Sequence, residues 1–158
     1  MLTMLKTSLK MALLIFGALF FAKPAFADDW KPINREDLER KTPVVENDAD
    51  AEGIFFEMRV EDKWDGSQDQ RIIRNYTRIK IFTDRGKEAH STIDLEYEGH
   101  ANIDDISGRT IKPDGTILEL KKQDVFERTL VKAGGIKIKT KSFAMPGVEA
   151  GVIIEYRW

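Results

Sequence analysis

The sequence of 158 residues contains no cysteine and only two histidines. Without cysteine, disulfide scaffolds, thiol nucleophiles and cysteine-ligated zinc sites are excluded. Long helical patterns are also missing, so a parallel α/β architecture has no crossover helices to use. The length fits one domain, and a domain of this size can bury a sufficient core without a metal or a disulfide.

The N-terminus has the three parts of a secretory signal. Lys6 and Lys10 precede an apolar run over residues 11–22, and the small-residue triplet Ala25-Phe26-Ala27 follows. The run is shorter than the roughly 20 residues that a membrane-spanning helix needs. We therefore predict cleavage after Ala27, a periplasmic or secreted protein and no transmembrane segment after cleavage. An uncleaved N-terminal anchor is the alternative.

Cleavage after Ala27 makes the protein more acidic. It removes three of the 25 basic residues and none of the 27 acidic ones, so 22 bases and 27 acids leave a net charge of −5. Nucleic acid is therefore not expected as a partner, because its binding depends on a basic surface.

The remaining residues favour β-structure. Residues 28–158 contain 15 Ile and 7 Val but only 5 Leu, and β-branched side chains fit pleated surfaces. From Ala51 onward the apolar residues recur at every second position, which is typical of strands with one buried face. In the first strand this pattern places Ile54, Phe56, Met58 and Val60 on the buried face.

Turn signals divide this part of the chain into about eight strands. The predicted strands begin at Ala51 and then cover Arg71–Phe82, Ser91–Tyr97, Ile103–Ile111, Ile117–Leu120, Val125–Val131, Ile136–Phe143 and Val152–Trp158, with a hairpin at Asp84-Arg85-Gly86. We predict an all-β fold, an antiparallel β-sandwich over residues 51–158. Residues 28–50 form a lead-in segment, irregular or with one or two helical turns capped by Asn34.

The last strand still alternates at Trp158. We expect such a strand to leave either an unfinished sheet or an edge with unpaired peptide groups. On this reasoning the β-sandwich domain is C-terminally truncated, and the chain is the front of a longer protein, either as a fragment or through a truncated gene.

Five segments occur in an order that resembles a known family. They are Trp30–Ile33, Asp48–Ala51, Arg78–Gly86, Lys112–Gly115 and Phe143–Tyr156. Together they resemble the bacterial exported domain of unknown function that lies N-terminal to transglutaminase-like domains. The resemblance implies an antiparallel β-sandwich, export, and a downstream papain-like domain with a Cys-His-Asp triad as partner. Since this chain has no cysteine, no catalytic residue transfers to it.

Candidate catalytic and metal-binding patterns are weak. His90 and His100 lie on either side of one predicted strand, too far apart to share a metal unless a neighbouring strand folds back. Asp48, Asp50 and Glu52 match the start of a calcium-binding loop, but Arg59 stands where the bidentate Glu is needed. We therefore predict no catalytic residue, no cofactor and no metal site.

Two segments are candidates for partner contact. Lys137, Lys139 and Lys141 alternate along one strand face, which could bind an anionic polymer of the envelope or an acidic partner domain. The alternative is a lysine-decorated sheet edge that prevents aggregation.

The second segment is the loop that contains Met145, Pro146 and Gly147. It could offer an apolar contact to whatever follows, together with Trp158, or pack into the core under a long connection.

The predicted function is that of a non-catalytic module that positions the downstream domain or its substrate. The alternative is a stand-alone glycan- or peptide-binding module of the bacterial envelope, which a cleft lined by Trp30, Trp64 and Trp158 would favour. A small hydrolase would need a nucleophile in contact with a base, and the sequence offers no such pair.

Overall fold

A computed structural model describes residues 30–64 and 66–158. The predicted signal peptide, residues 1–27, lies outside the described residues. The chain divides into two compact units, residues 1–32 and 33–158, and every element described below lies in the second unit.

The second unit is an all-β sandwich of two antiparallel sheets, which confirms the predicted fold class. The strands are β1 (Ala51–Trp64), β2 (Asp69–Ile81), β3 (Thr92–Glu98), β4 (Ser107–Ile111), β5 (Ile117–Glu119), β6 (Val125–Ala133), β7 (Ile136–Ala144) and β8 (Ile153–Arg157). The helices are α1 (Arg35–Glu39), α2 (Asp84–His90) and a 3-10 turn (Lys122–Asp124). The five-stranded sheet has the order β1-β2-β8-β4-β5, and the three-stranded sheet has the order β3-β7-β6.

The core lies between the two sheets. The five-stranded sheet contributes Ile81 and Ile154, and the three-stranded sheet contributes Leu95 and Phe143, all buried. β2, β3 and β8 supply alternate side chains to this core, as the period of two predicts. Burial of these apolar side chains is the main stabilising contribution to such a fold.

The last strand, β8, is not at an edge, so the expectation that it leaves an edge with unpaired peptide groups is wrong. β8 pairs with β2 on one side and with β4 on the other, and Ile154 lies between Ile79 and Thr110. Alternation along a strand indicates which side chains share a face, but it carries no information on the strand's position in the sheet.

The segment after β2 is a helix where we predicted a hairpin. α2 begins after Thr83, whose side chain accepts a hydrogen bond from the Gly86 backbone N–H at 3.2 Å, a common way of capping a helix N-terminus. β2 and β3 belong to different sheets, so α2 carries the chain from one sheet to the other. The Asp84-Arg85-Gly86 triplet has the composition of a turn. The prediction therefore did not consider Thr83 as the N-cap of a helix.

The lead-in segment contains the predicted helical turn, α1, but Asn34 makes no side-chain capping bond. Lys80 on β2 holds the lead-in segment against the larger sheet. Its buried Nζ donates to the carbonyl oxygens of Leu38 and Gly151, each at 2.7 Å. Burial lowers the pKa of Lys80. Arg40 reaches Glu52 on β1, with 2.7 Å between Nη1 and Oε1.

Glu52 makes this attachment sensitive to acid. Its second oxygen accepts hydrogen bonds from the N–H groups of Val44 and Val45 at 2.7 and 2.9 Å. These bonds, with Arg40, lower the pKa of Glu52 from its usual 4.5. Because the folded-state pKa is the lower one, the stabilisation is present above about pH 4.5 and is lost as the pH falls through the folded-state value.

We therefore expect proteolysis within residues 41–49 to accelerate below about pH 4.5. An acid-stable protease and mass spectrometry would measure the cleavage rates. Glu52→Gln should raise the rate at neutral pH and flatten its pH dependence, whereas Glu88→Gln, on α2, should leave both unchanged. A wild-type rate with the same pH profile as that of the Glu52→Gln variant would contradict this role.

Candidate functional site

Two strands of the larger sheet extend beyond their neighbours. β8 pairs with β2 only from Tyr76 to Lys80, and Asn75 adds a pair of backbone hydrogen bonds to Trp158. Past this point β1 and β2 continue as a two-stranded ribbon to the turn between Trp64 and Asp69. We call residues 58–64 and 69–74 the β1–β2 arm.

One face of this ribbon, extended by Phe56 just before it on β1, is apolar and exposed. Phe56, Met58 and Val60 on β1 are 60%, 56% and 51% exposed, and Ile73 on β2, directly opposite Val60, is 46% exposed. These four residues are the apolar arm face. The prediction that Phe56, Met58 and Val60 are buried is therefore wrong. They do share a face, but it lies outside the core cluster.

Aromatic side chains from β8 stand at the base of the apolar arm face. Register places Tyr156 beside Thr77, which in turn lies beside Phe56. The Tyr156 and Trp158 rings stack at 5.9 Å and pack against the core. Trp158, predicted as a partner contact, is thus half-buried at the junction between the core and the apolar arm face.

A shallow apolar groove of about 430 Å³ continues from Phe56 along β1. Gly53, Ile79 and His90 are among its lining residues. Burial lowers the pKa of His90, so the imidazole is neutral at pH 7 and fits a predominantly apolar wall. His100 lies away from this groove in the turn after β3. Within residues 30–64 and 66–158, no three His, Asp or Glu side chains are grouped to hold a metal ion.

The predicted lysine row lies on the core-facing side of the smaller sheet. β7 is the middle strand of that sheet, so the alternative of a lysine-decorated edge does not apply. Lys139 Nζ lies 2.6 Å from Glu127 Oε1, and Lys141 Nζ donates to the Ile103 carbonyl. Of the three lysines, Lys137 alone is exposed, directly opposite Lys132.

Tyr97 and Glu127 complete the surroundings of Lys139. The Tyr97 hydroxyl donates to Glu127, and burial together with this carboxylate raises the pKa of Tyr97 to about 12. The hydrogen bonds from Lys139 and Tyr97 lower the pKa of Glu127. The group is thus a phenol hydrogen-bonded to an ion pair, and it joins β3, β6 and β7.

The loop after β7 packs inward at Met145. Met145 is 4% exposed, and its N–H donates to Ser91 O at 2.8 Å. The alternative of core packing therefore describes Met145. Pro146 is half-buried, and Gly147, exposed with φ of 59°, lies so close to Leu118 that a Cβ would be 2.4 Å from that side chain. This loop is held by the fold.

Sequence reasoning missed a buried charged network on the other face of the larger sheet. Glu155 on β8 is fully buried and lies between Arg78 on β2 and Arg109 on β4. Both arginines bond its carboxylate, Arg109 at 2.6 Å, and the Tyr76 hydroxyl donates to it at 2.8 Å. The signal for this network was Glu155 in the middle of the final strand, directly after the apolar run Val152–Ile154.

Trp64 and Trp158 do not gather into one cleft. Trp64 is 64% exposed at the distal end of the β1–β2 arm, whereas Trp158 is at its base, about six residues or 20 Å away along the strand. Trp30 belongs to the first unit. In the second unit, therefore, nothing in the described residues resembles an aromatic sugar-binding cleft built from these tryptophans.

Comparison with known proteins gives one match. Residues 67–158 match the family model DUF3857, described as a domain of unknown function with a solved structure. No curated protein and no solved structure matches the chain. The matched region covers β2 to β8, so Ile73 lies inside it and the other three residues of the apolar arm face precede it. No helix in the described part of the chain could span a membrane.

Proposed function

The chain belongs to the DUF3857 family of domains of unknown function, and we propose that it is a non-catalytic module of an exported transglutaminase-like protein. In this proposal the signal peptide directs the protein to the periplasm or the exterior, and the β-sandwich positions the downstream domain or its substrate. The apolar arm face is the docking surface. The resemblance named above supplies the expected partner, and the exposed apolar residues supply the means of contact.

The apolar arm face is the observation that carries the proposal. Four large apolar side chains, each about half exposed or more, lie on adjacent strands of one sheet face. Contiguous apolar surface of this kind is uncommon on monomeric proteins and marks sites of protein contact. Burying such side chains against a partner removes apolar area from water, which favours association.

The place where β8 ends supports the choice of partner. Trp158 lies at the base of the apolar arm face, and its backbone pairs with Asn75 of β2. A polypeptide that continued from Trp158 would therefore start next to this surface. Its effective concentration there would be high, as for any tethered partner.

The first test is the reading frame beyond Trp158. The proposal expects it to encode a domain with Cys, His and Asp motifs, and a stop codon there would overturn it. In that full-length protein, hydrogen exchange should show that residues 56–60 and 73 are more protected than in the 158-residue chain.

A matched pair of variants tests the surface itself. Ile73→Asp places a charge on the apolar arm face, and Val131→Asp places one on β6 at equal exposure, 46% against 44%. We expect Ile73→Asp to reduce the protection of residues 56–60 in the full-length protein about tenfold or more, because docking would bury a charge. Val131→Asp should leave it unchanged, and an equal effect of both variants would refute the docking surface.

The second candidate is a stand-alone peptide-binding module of the envelope. The apolar groove beside Phe56 and His90 favours a peptide side chain as its occupant. The distance between Trp64 and Trp158 does not favour a glycan. If the reading frame ended at Trp158, this candidate would replace the first.

A further inference from the structure

β1 is the longer of the two edge strands of the larger sheet. Among the described strands β1 pairs only with β2, over 14 residues. An edge strand of this length can pair through its outer side with another strand. The opposite edge, β5, has only three residues.

The charges along β1 alternate in sign. On the face opposite the apolar arm face the strand carries Glu57, Arg59, Glu61 and Lys63. All four side chains are exposed to solvent by about a third or more. Arg59 Nη2 lies 3.4 Å from Glu57 Oε1, and Lys63 Nζ lies 3.5 Å from Glu61 Oε2. A strand with this pattern is complementary to its own reversed copy.

An antiparallel copy centred on Val60 pairs each of these four charges with one of opposite sign. Glu57 then lies opposite Lys63 of the second copy, and Arg59 lies opposite Glu61 of the second copy, each pair occurring twice. Directly opposed charges of opposite sign stabilise a strand pair, and like charges destabilise it. Centring on Arg59 would oppose two arginines, and centring on Glu61 would oppose two glutamates, so only the register centred on Val60 is free of such clashes among these three.

The other face of the strand agrees with this register. Phe56 lies opposite Trp64 of the second copy, and Val60 lies opposite Val60 of the second copy. Met58 lies opposite Asp62, whose carboxylate already pairs with Arg71 of its own chain at 2.7 Å. Phe56 and Trp64 are 60% and 64% exposed. Aromatic pairs across adjacent strands contribute favourably beyond the area that they bury.

We propose that two copies of the chain associate through antiparallel β1 strands centred on Val60. The contact is symmetric about a twofold axis and joins the two five-stranded sheets into one continuous sheet. Both apolar arm faces then lie side by side on the same surface of that sheet. This pairing uses the edge of β1 and does not depend on what covers the apolar arm face.

Two single variants and their mixture test the pairing. In a dimer of the Glu57→Lys variant, the new lysine faces Lys63 of the second copy at both ends of the strand pair. In a dimer of the Lys63→Glu variant, the new glutamate faces Glu57 of the second copy at both ends. Each variant alone should dimerise roughly 30-fold more weakly than the wild type, since two attractive pairs become repulsive. In an equimolar mixture every pair is again of opposite sign, so a dimer with one copy of each variant should form with near wild-type affinity.

Sedimentation equilibrium of the purified chain, with native mass spectrometry to read the dimer's composition, gives the result. Lys132→Glu, an exposed charge reversal on β6, is the matched control and should dimerise like the wild type. Circular dichroism establishes that each variant is folded. A wild type that stays monomeric at every concentration, or variants that dimerise as well alone as in the mixture, would overturn the proposal.

Discussion

Replacing Glu155 with glutamine is expected to lower the free energy of unfolding by about 3–5 kcal/mol. Glu155 is fully buried between Arg78 and Arg109, whose side chains are 4% and 12% exposed. Glutamine keeps the shape but removes the negative charge that both guanidinium groups face in a poorly hydrated environment. The loss is therefore larger than the value of one hydrogen bond, about 1 kcal/mol.

Urea unfolding followed by circular dichroism measures this loss. Glu127→Gln is the matched control because Glu127 also bonds a cation and a tyrosine hydroxyl, but its side chain is 39% exposed. Solvent screens that ion pair, so its loss should lower the stability clearly less than the loss of Glu155 does. Equal losses for the two variants would mean that Glu155 is not the centre of a buried network.

Replacing Gly86 with alanine is expected to cost about 3 kcal/mol. A Cβ at this position would be 2.1 Å from the Asp50 carbonyl oxygen. That oxygen accepts the N–H groups of Phe82 and Thr83 at 2.9 and 3.2 Å. Since the neighbour is backbone and not a flexible side chain, helix α2 can accommodate the methyl group only by moving away and losing these bonds.

Gly53→Ala provides the comparison for Gly86→Ala. A Cβ at Gly53 would meet nothing within 4 Å, and the stability should stay within about 0.5 kcal/mol of the wild type. Thermal unfolding of the two variants, with exchange rates of the α2 amides, separates them. A Gly86→Ala variant that unfolds at the wild-type temperature would show that α2 is not held against Asp50.

The sequence alone was enough to predict the strands. The period of two, set by alternating burial, identified eight strands whose positions agree with the structure within a few residues. It did not predict α2, because Asp84-Arg85-Gly86 has the composition of a turn and the decisive group is the side chain of Thr83. A capping residue is recognised only when the residues after it are already considered as a helix.

The candidate site was harder to predict. Whether a strand face is covered by a second sheet depends on how the two sheets pack, and not on the pattern along one strand. Phe56, Met58 and Val60 were correctly grouped on one face, yet a strand pattern does not show whether a second sheet lies over that face. The lysines of β7 illustrate the same limit. Lys139 and Lys141 share the face of buried Phe143, and their long aliphatic stems allow a charged group to reach a partner at the margin of the core.

The position of β8 has a consequence for how the protein is made. β8 joins β2 and β4. Its Glu155 bonds Arg78 and Arg109, which lie 77 and 46 positions earlier in the chain. Contacts of such sequence separation form slowly. During synthesis, β2 and β4 have left the ribosome well before their common neighbour exists, so the larger sheet closes only once translation has reached β8. Until then β2 and β4 have no strand between them, and the larger sheet is divided into two separate strand pairs.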